Sequence, residues 1–233
     1  MMRGFYVLCI RTLLLGASAA AALRLSPSAG ATILAGGVHR QTDFVPPALV
    51  AALRQDLAGL AAAGRFNVGA SYSSDGAKDD LRSALTCRPI AGVDQGDDPG
   101  DTDAFWELHG ALDSARVQLG SLLGRELRSG MEAVYVLYPE GGYYRRHVDS
   151  VEGVDSGGSG QRAVSFICYL NEPGWSASDG GMLRVFDSAG GERVREDLPP
   201  ESGSLVLFDS KRVSHEVLPT RRQRACLVGW FRA

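Results

Sequence analysis

The stretch "EAVYVLYPEGGYYRRHVDS", residues 132–150, decides the fold class of this 233-residue chain. Two runs rich in Val and Tyr flank a Pro-Glu-Gly-Gly turn, which is typical of two β-strands joined by a turn. Similar strand-and-turn texture recurs at residues 162–175, 180–191, 203–220 and 224–233. The last hundred residues are therefore predicted to form one all-β unit, a sandwich or a barrel.

Two amphipathic helices are predicted ahead of these strands. The first has a proline near its start, Gly64 as its C-cap and one apolar stripe, made of Leu49, Leu53, Leu57 and Leu60. The stripe of the second consists of Phe105, Leu108, Leu112, Leu119, Leu122 and Leu123. Residues 65–103 show no strong period between the two. We expect an α+β, mainly β domain with supporting N-terminal helices.

The first 42 residues resemble a leader. They contain four arginines and no acidic residue, and the apolar run from Thr12 to Leu23 is too short for a stable membrane span. We expect a secretory signal or an organelle transit peptide in residues 1–42, the alternative being a disordered alanine-rich tail. The domain is then expected to cover residues 43–233. Its location would be the secretory pathway or an organelle with a real leader, and otherwise the cytoplasm or nucleus.

Composition excludes several classes of function. A net charge of −3 gives no broad basic surface, so we expect no nucleic-acid partner. The four cysteines form no CxxC pair, so a structural zinc site has no support, and Cys168 and Cys226 lie in apolar runs typical of buried thiols. The sequence carries no G-x-S-x-G, P-loop or dinucleotide-binding motif.

His147 and Asp149 are candidate metal ligands, because residues i and i+2 of a strand point to the same side. Val148 between them is expected to face a packed layer. His215, on a later predicted strand, completes two histidines and one carboxylate, the set typical of non-haem Fe(II) oxygenases. The alternatives are histidines with ordinary hydrogen bonds, or a zinc site with the same ligands.

Arg224 opens the last predicted strand, nine residues after His215. A strand-borne arginine inside a β unit needs an anionic partner, and a guanidinium binds a carboxylate in a bidentate manner. A dicarboxylate that chelates iron at its other end, namely 2-oxoglutarate, fits this requirement. The alternative is that Arg224 belongs to a surface run together with Arg221 and Arg222.

The chain resembles the Fe(II)/2-oxoglutarate dioxygenase superfamily, and within it the prolyl hydroxylase branch that includes the hypoxia-inducible-factor prolyl hydroxylases. The resemblance covers residues 131–232 well and residues 44–130 loosely. It rests on five segments in the family's order: "YPEGGYYRRHVD", "YLNEPGW", "GGMLRVF", "GSLVLFDSKRVSHEVLP" and "RACLVGWF". Arginine rather than lysine at the cosubstrate position resembles the oxygen-sensing branch.

This resemblance implies a double-stranded β-helix, or jelly-roll, core over about residues 131–232. It implies that His147, Asp149 and His215 bind Fe(II), and that Arg224 and Tyr138 bind 2-oxoglutarate. The residues expected to line the cosubstrate pocket are Tyr169, Ile167, Leu183, Val217 and Trp230. Arg82 in "KDDLRS" resembles a substrate-binding arginine, although the acidic residue that follows it in the family is replaced by Ser83. Arg82 and Trp230 are thus candidate substrate contacts. The alternatives are a solvated loop charge for Arg82 and plain core packing for Trp230 and the other pocket residues.

The implied activity is hydroxylation of a prolyl residue in a protein or peptide, with O2 consumed and succinate and CO2 released. Ascorbate is expected as a reductant. One alternative keeps this chemistry but acts on a small molecule or another side chain. The other is a jelly-roll binding module without turnover, which requires a broken ligand set or a lost cosubstrate anchor.

Overall fold

The computed structural model describes residues 24–68, 82–88, 103–150, 161–187 and 191–233, and the strand backbone at 71–72 and 78–79. The helices in these residues are α1 (Ser28–Leu34), α2 (Pro47–Ala62) and α3 (Asp103–Leu123). The early strands are β1 (His39–Gln41), β2 (Asn67–Val68), β3 (Ser71–Tyr72), β4 (Lys78–Asp79), β5 (Arg82–Ser83) and β6 (Leu85–Cys87). The later strands are β7 (Glu132–Tyr138), β8 (Tyr143–His147), β9 (Arg162–Tyr169), β10 (Leu183–Phe186), β11 (Val194–Leu198), β12 (Leu205–Asp209), β13 (His215–Val217) and β14 (Arg224–Arg232).

The strands form two antiparallel sheets of a jelly roll, as predicted. The major sheet has the order β1-β12-β9-β14-β7-β6-β2, and the minor sheet has the order β11-β10-β13-β8-β5. A separate hairpin pairs β3 with β4. Strands that lie far apart in the sequence, such as β9 and β14, are hydrogen-bonded neighbours in the major sheet.

Alternation along the strands of the major sheet separates two apolar clusters. Tyr135 and Leu137 of β7 pack in the cluster that contains the helices, whereas Val136 and Tyr138 belong to the cluster between the two sheets. The helices thus cover the outer face of the major sheet. The inner face of the major sheet, opposite the minor sheet, lines a cavity.

Both predicted helices are present, and one detail differs. The four leucines of the α2 stripe are buried, and Gly64 adopts a positive φ of 67° just past the end of this helix. In α3 the predicted stripe is buried except at Leu122, which is 37% exposed. The α1 helix lies against this part of α3, where a Cβ added to Gly30 would approach the Leu122 Cβ to 2.6 Å.

The folded domain begins earlier than residue 43, which corrects the predicted boundary. Helix α1 buries Ala29 and Ile33 in the outer cluster, and β1 pairs with β12 at the edge of the major sheet. The absence of acidic residues from residues 24–42 does not require a leader, because a short buried helix such as α1 also lacks charges. The remainder of the predicted leader, residues 1–23, lies outside the described residues. No helix in the described part of the chain combines the length and apolarity needed to cross a membrane.

The interval between α2 and α3, which showed no strong period, adds short strands to both sheets. Strand β6 pairs with β7 in the major sheet, and β5 pairs with β8 in the minor sheet. Strands of two or three residues carry too little periodicity to be recognised from sequence. Cys87, Cys168 and Cys226 are buried free thiols, as expected for the last two.

Candidate metal centre and adjoining cavity

His147, Asp149 and His215 come together at the open edge between the two sheets. One ligand-type atom of each lies within 4.8 Å of the others. The Asp149 Oδ1 atom is 3.4 Å from His147 Nε2 and 3.9 Å from His215 Nε2. Two imidazole nitrogens and one carboxylate oxygen thus converge on a single point.

The two histidines are placed by strand pairing, and Asp149 by a bend. His147 ends β8 and faces His215, its register partner at the start of β13. Strand β8 stops at His147, so the prediction that Asp149 lies on the same strand is wrong. Instead, the backbone N–H groups of Asp149 and Ser150 both donate to the Ser210 carbonyl at 3.0 Å. This anchor turns the Asp149 side chain back toward the histidines.

Hydrogen bonds fix the orientation of all three side chains. Each histidine Nδ1–H donates to the carbonyl two residues earlier, at 2.8 Å to Arg145 and 3.1 Å to Val213. Both Nε2 lone pairs are therefore directed at the convergence point. The Ser165 hydroxyl donates to Asp149 Oδ2 at 2.6 Å, which leaves Oδ1 available as a ligand.

The electrostatics of the cluster keep Asp149 and His215 in the protonation state of metal ligands. Burial opposes ionisation of Asp149, but the two histidines and the Ser165 hydroxyl outweigh it and hold the pKa of this carboxyl well below its ordinary value. Burial lowers the pKa of His215 to about 4, against the attraction of Asp149. At neutral pH a carboxylate and a neutral imidazole stand ready, as a divalent metal requires.

A cavity of about 820 Å³ adjoins the cluster, and Arg224 lies at its deep end. Val148 contributes to the cavity wall, so the expectation that it faces a packed layer is wrong. The Arg224 side chain is 1% exposed and lies between two aromatic rings, 4.8 Å from the Tyr138 centroid and 5.0 Å from that of Tyr169. Burial lowers the pKa of Arg224, but neighbouring Cys226 and the two tyrosines outweigh burial and raise this pKa above its ordinary value.

Arg224 has no carboxylate partner among the described residues. Its Nε–H donates to the Gly181 carbonyl at 3.0 Å, and Nη1–H donates weakly to Cys226 Sγ at 3.5 Å. Arg224 Nη2 meets no well-aligned acceptor among the described residues, and the neighbouring Tyr169 hydroxyl makes only a weak interaction with the guanidinium. Buried donors of this kind are normally paired. The residues present therefore fit a ligand that brings a carboxylate to Arg224 and a metal-binding group to the cluster.

The other predicted site residues lie in or next to the same cavity. Its wall includes Tyr138, Ile167, Leu183, Val217, Trp230 and Arg82. Tyr169 does not line it directly but packs fully buried behind Arg224, and burial raises the pKa of its hydroxyl to about 12. Arg82 stacks over the Tyr144 ring at 5.4 Å, near the mouth of the metal cluster.

Sequence reasoning missed the residues that support the ligands. Ser165 and Ser210 form a hydroxyl chain to Asp149, with 2.9 Å between their oxygens. Tyr144 stacks on the His147 ring with centroids 3.8 Å apart. A serine inside the apolar run "RAVSFICY" was the available signal, since a buried strand hydroxyl needs a partner.

Comparison with known proteins agrees with this geometry. Residues 133–232 match the family described as the 2OG-Fe(II) oxygenase superfamily. The chain belongs to this superfamily. The matched residues run from β7 to β14 and contain the ligand cluster and Arg224. Membership implies Fe(II) and 2-oxoglutarate as the metal and cosubstrate of the cavity.

The relatives of this superfamily member include prolyl hydroxylases. It is 28% identical to human Egl nine homolog 1 over 84% of this chain, but spans only 43% of that protein. It is 32% identical to the solved structure of a Pseudomonas putida prolyl-4-hydroxylase, covering 88% of this chain and 97% of that one with a TM-score of 0.70. A Trichoplax adhaerens prolyl hydroxylase, solved with a fragment of the hypoxia-inducible-factor oxygen degradation domain, is 24% identical and has the same fold, with a TM-score of 0.71 over 91% of each chain.

Proposed function

We propose that this protein is an Fe(II)- and 2-oxoglutarate-dependent dioxygenase that hydroxylates a prolyl residue of a protein or peptide, consuming O2 and releasing succinate and CO2. The observation that carries the proposal is the similarity to the Pseudomonas putida prolyl-4-hydroxylase, which extends over nearly all of both chains. The converging ligand cluster and the buried unpaired Arg224 support it, because a binding module without turnover needs neither.

In this proposal the metal is held by His147, Asp149 and His215, on one side of the cavity. Three protein ligands leave the remaining positions of an octahedral metal to the cosubstrate and O2. When bound, Fe(II) with 2-oxoglutarate and O2 supplies the oxidising chemistry that inserts one oxygen atom into a C–H bond. The protein supplies orientation and a partly dry environment.

Arg224 and Tyr138 anchor the distal carboxylate of 2-oxoglutarate at the deep end. The guanidinium offers an unpaired Nη2–H in a position from which water is excluded, where a charge-assisted hydrogen bond is strong. Leu183 and Tyr169 shape the walls around it. Since Arg224 is fixed by Gly181 and two aromatic rings before ligand arrives, little side-chain entropy is lost on binding.

Arg82 and Trp230 are proposed substrate contacts, since both line the cavity. A proline within a peptide is favoured over a small molecule because the Trichoplax adhaerens protein of the same fold was solved with a peptide fragment. The departure at Ser83, next to Arg82, indicates a peptide sequence different from those of the oxygen-sensing enzymes.

The test is turnover by the full chain with Fe(II), 2-oxoglutarate, ascorbate and O2, with and without a pool of proline-containing peptides. We expect succinate formation that rises with peptide, and peptides that gain one oxygen atom on proline by mass spectrometry. His147→Ala should abolish both signals, whereas His109→Ala, on α3 outside the cavity, should retain them. Succinate that no peptide stimulates would contradict the proposed substrate, and a fully active His147→Ala would contradict the metal assignment.

A further inference from the structure

The direction in which the Arg224 guanidinium points depends on a backbone carbonyl. The Tyr138 and Tyr169 rings restrict where the guanidinium lies, at 4.8 Å and 5.0 Å from its Cζ, but contacts with ring faces are only weakly directional. Arg224 Nε–H donates to the Gly181 carbonyl at 3.0 Å, and this hydrogen bond is directional. Because the guanidinium is planar and rigid, fixing Nε also fixes where Nη2 points in the cavity.

The Gly181 carbonyl belongs to a glycine pair with an uncommon backbone conformation. Gly180 and Gly181 both have a φ of 67°, which residues with a side chain rarely adopt. A Cβ at Gly180 would lie 2.5 Å from the Pro219 carbonyl oxygen, so only glycine fits there. Glycine is also the residue that restricts its own torsions least. The pair therefore needs outside contacts to hold the Gly181 carbonyl in one orientation.

Two hydrogen bonds hold the peptide group between these glycines, one at each end. Its N–H, which belongs to Gly181, donates to the Pro219 carbonyl at 3.1 Å. Its carbonyl, which belongs to Gly180, accepts from Trp175 Nε1–H at 2.9 Å. Since a peptide group is planar, these two bonds orient all of its atoms. Only the two backbone torsions of Gly181 then separate this group from the carbonyl that holds Arg224.

Trp175 is a rigid donor that lies outside the cavity containing Arg224. It belongs to the segment between β9 and β10, five residues before Gly180, and is 8% exposed. Its side chain lines a separate groove of about 690 Å³ beside α2. A buried indole N–H needs an acceptor, and here the acceptor is the carbonyl adjacent to the one that holds Arg224. Trp175 can therefore influence the cavity only through the glycine pair.

We propose that Trp175 is a positioning residue for 2-oxoglutarate, whose indole N–H holds the Gly180–Gly181 peptide group and thereby directs the Arg224 guanidinium at the distal carboxylate. This inference rests on Arg224 as the cosubstrate anchor of the proposed function and deepens that function. Trp175 belongs neither to the ligand cluster nor to the wall of its cavity. Loss of its N–H should therefore weaken the binding of 2-oxoglutarate and leave the binding of the metal intact.

The test removes the indole N–H and keeps the shape of the side chain, by placing benzothienylalanine, whose ring carries sulfur instead of N–H, at Trp175. Trp175→Phe is a second variant, and the matched control is Trp106→Phe, an exposed tryptophan of α3. Equilibrium dialysis of the full chain measures the affinity for Mn(II), and then that of the Mn(II)-loaded protein for 2-oxoglutarate. We expect both Trp175 variants to bind 2-oxoglutarate about 5- to 10-fold more weakly, as the loss of one hydrogen bond implies. Their Mn(II) affinity, and both affinities of Trp106→Phe, should equal those of the unmodified protein.

A double-mutant cycle shows whether Trp175 acts through Arg224. In the Arg224→Met background, loss of the indole N–H should change the affinity for 2-oxoglutarate by less than about twofold, because the guanidinium that it directs is gone. A full 5- to 10-fold loss in that background, at about the level of one hydrogen bond, overturns the inference. An unchanged affinity in the benzothienylalanine variant, or equal losses for Mn(II) and 2-oxoglutarate, also overturns it. Failure of the proposed anchor is distinguishable, since Arg224→Met alone then binds 2-oxoglutarate as tightly as the unmodified protein, and the inference fails with it.

Discussion

Replacing Arg224 with Met separates ligand binding from folding at the deep end of the cavity. Methionine keeps most of the length of the side chain but removes the charge and every donor. In the unliganded protein the guanidinium is buried without a carboxylate partner. Because such a charge is expensive to bury, an apolar replacement is often neutral or stabilising, by up to about 4 kcal/mol. The melting temperature of the unliganded Arg224→Met variant should therefore equal or exceed that of the unmodified protein.

The affinity for the cosubstrate 2-oxoglutarate should fall in Arg224→Met, although the stability of the unliganded protein does not. Two charge-assisted hydrogen bonds to one carboxylate, allowing for their non-additivity, contribute about 3 kcal/mol, which is roughly 100-fold in affinity. We expect the KM for 2-oxoglutarate to rise by this factor in Arg224→Met. The effect on kcat should be smaller, because the contact lies at the end of the cosubstrate remote from the reacting atoms.

A thermal-shift assay with Mn(II) measures the same contact without turnover. At a 2-oxoglutarate concentration about 100 times Kd, binding should stabilise the unmodified protein by about 2.7 kcal/mol, or roughly 5–10 °C for a chain of this size. Arg224→Met should show almost no shift at that concentration. The control is Arg222→Met, whose guanidinium is partly exposed and paired with Glu172 and Asp179. A KM that stays unchanged in Arg224→Met and rises in Arg222→Met would refute the assignment of the anchor.

Three further substitutions test the supporting structure. Ser165→Ala removes the hydroxyl that holds Asp149 Oδ2, and metal affinity measured by competition titration should fall about 10- to 100-fold with an unchanged circular dichroism spectrum. Tyr135→Phe removes the 3.0 Å hydrogen bond to buried Asp56, and urea denaturation should show a loss of about 1–3 kcal/mol. Gly229→Ala places a Cβ 2.2 Å from an aromatic carbon and 2.3 Å from a carbonyl oxygen, so soluble yield and melting temperature should both drop. These expectations would be contradicted by an unaltered metal affinity in Ser165→Ala, an unaltered urea midpoint in Tyr135→Phe, or an unaltered melting temperature in Gly229→Ala.

The parts of the fold that could be predicted from sequence are those with a repeated pattern. Strands such as β7, β9, β12 and β14 carry long runs of apolar residues, and the α2 stripe places four leucines on one face over about three turns. The ligand cluster was foreseeable because histidine is rare in the chain, with four in all, and two histidines with one aspartate match one chemistry. Arg224 was foreseeable because a charge within an apolar strand requires an explanation.

Features that depend on tertiary contact were not predictable in this way. Asp149 is directed by two backbone N–H groups that donate to Ser210, a residue 61 positions later, and no local pattern encodes that bond. The sequence does not distinguish helix α1 from a leader, because its few apolar residues signal burial only once the α3 face against which they pack is known.

The cavity thus carries unsatisfied donors at both ends and an apolar wall between them. Among the described residues, Arg224 Nη2 at the deep end has no well-aligned acceptor, and neither have Arg162 Nε and Trp230 Nε1 at the other end. Each such group lowers the stability of the empty protein, so a fold retains them only where a ligand or another function compensates. A dicarboxylate cosubstrate accounts for the donor of Arg224, and a separate ligand with oxygen acceptors accounts for those of Arg162 and Trp230. A single small molecule would have to span about 20 Å between the two ends, which is far longer than a five-carbon dicarboxylate. The distribution of unpaired donors therefore favours two ligands, one at each end, over a single small molecule.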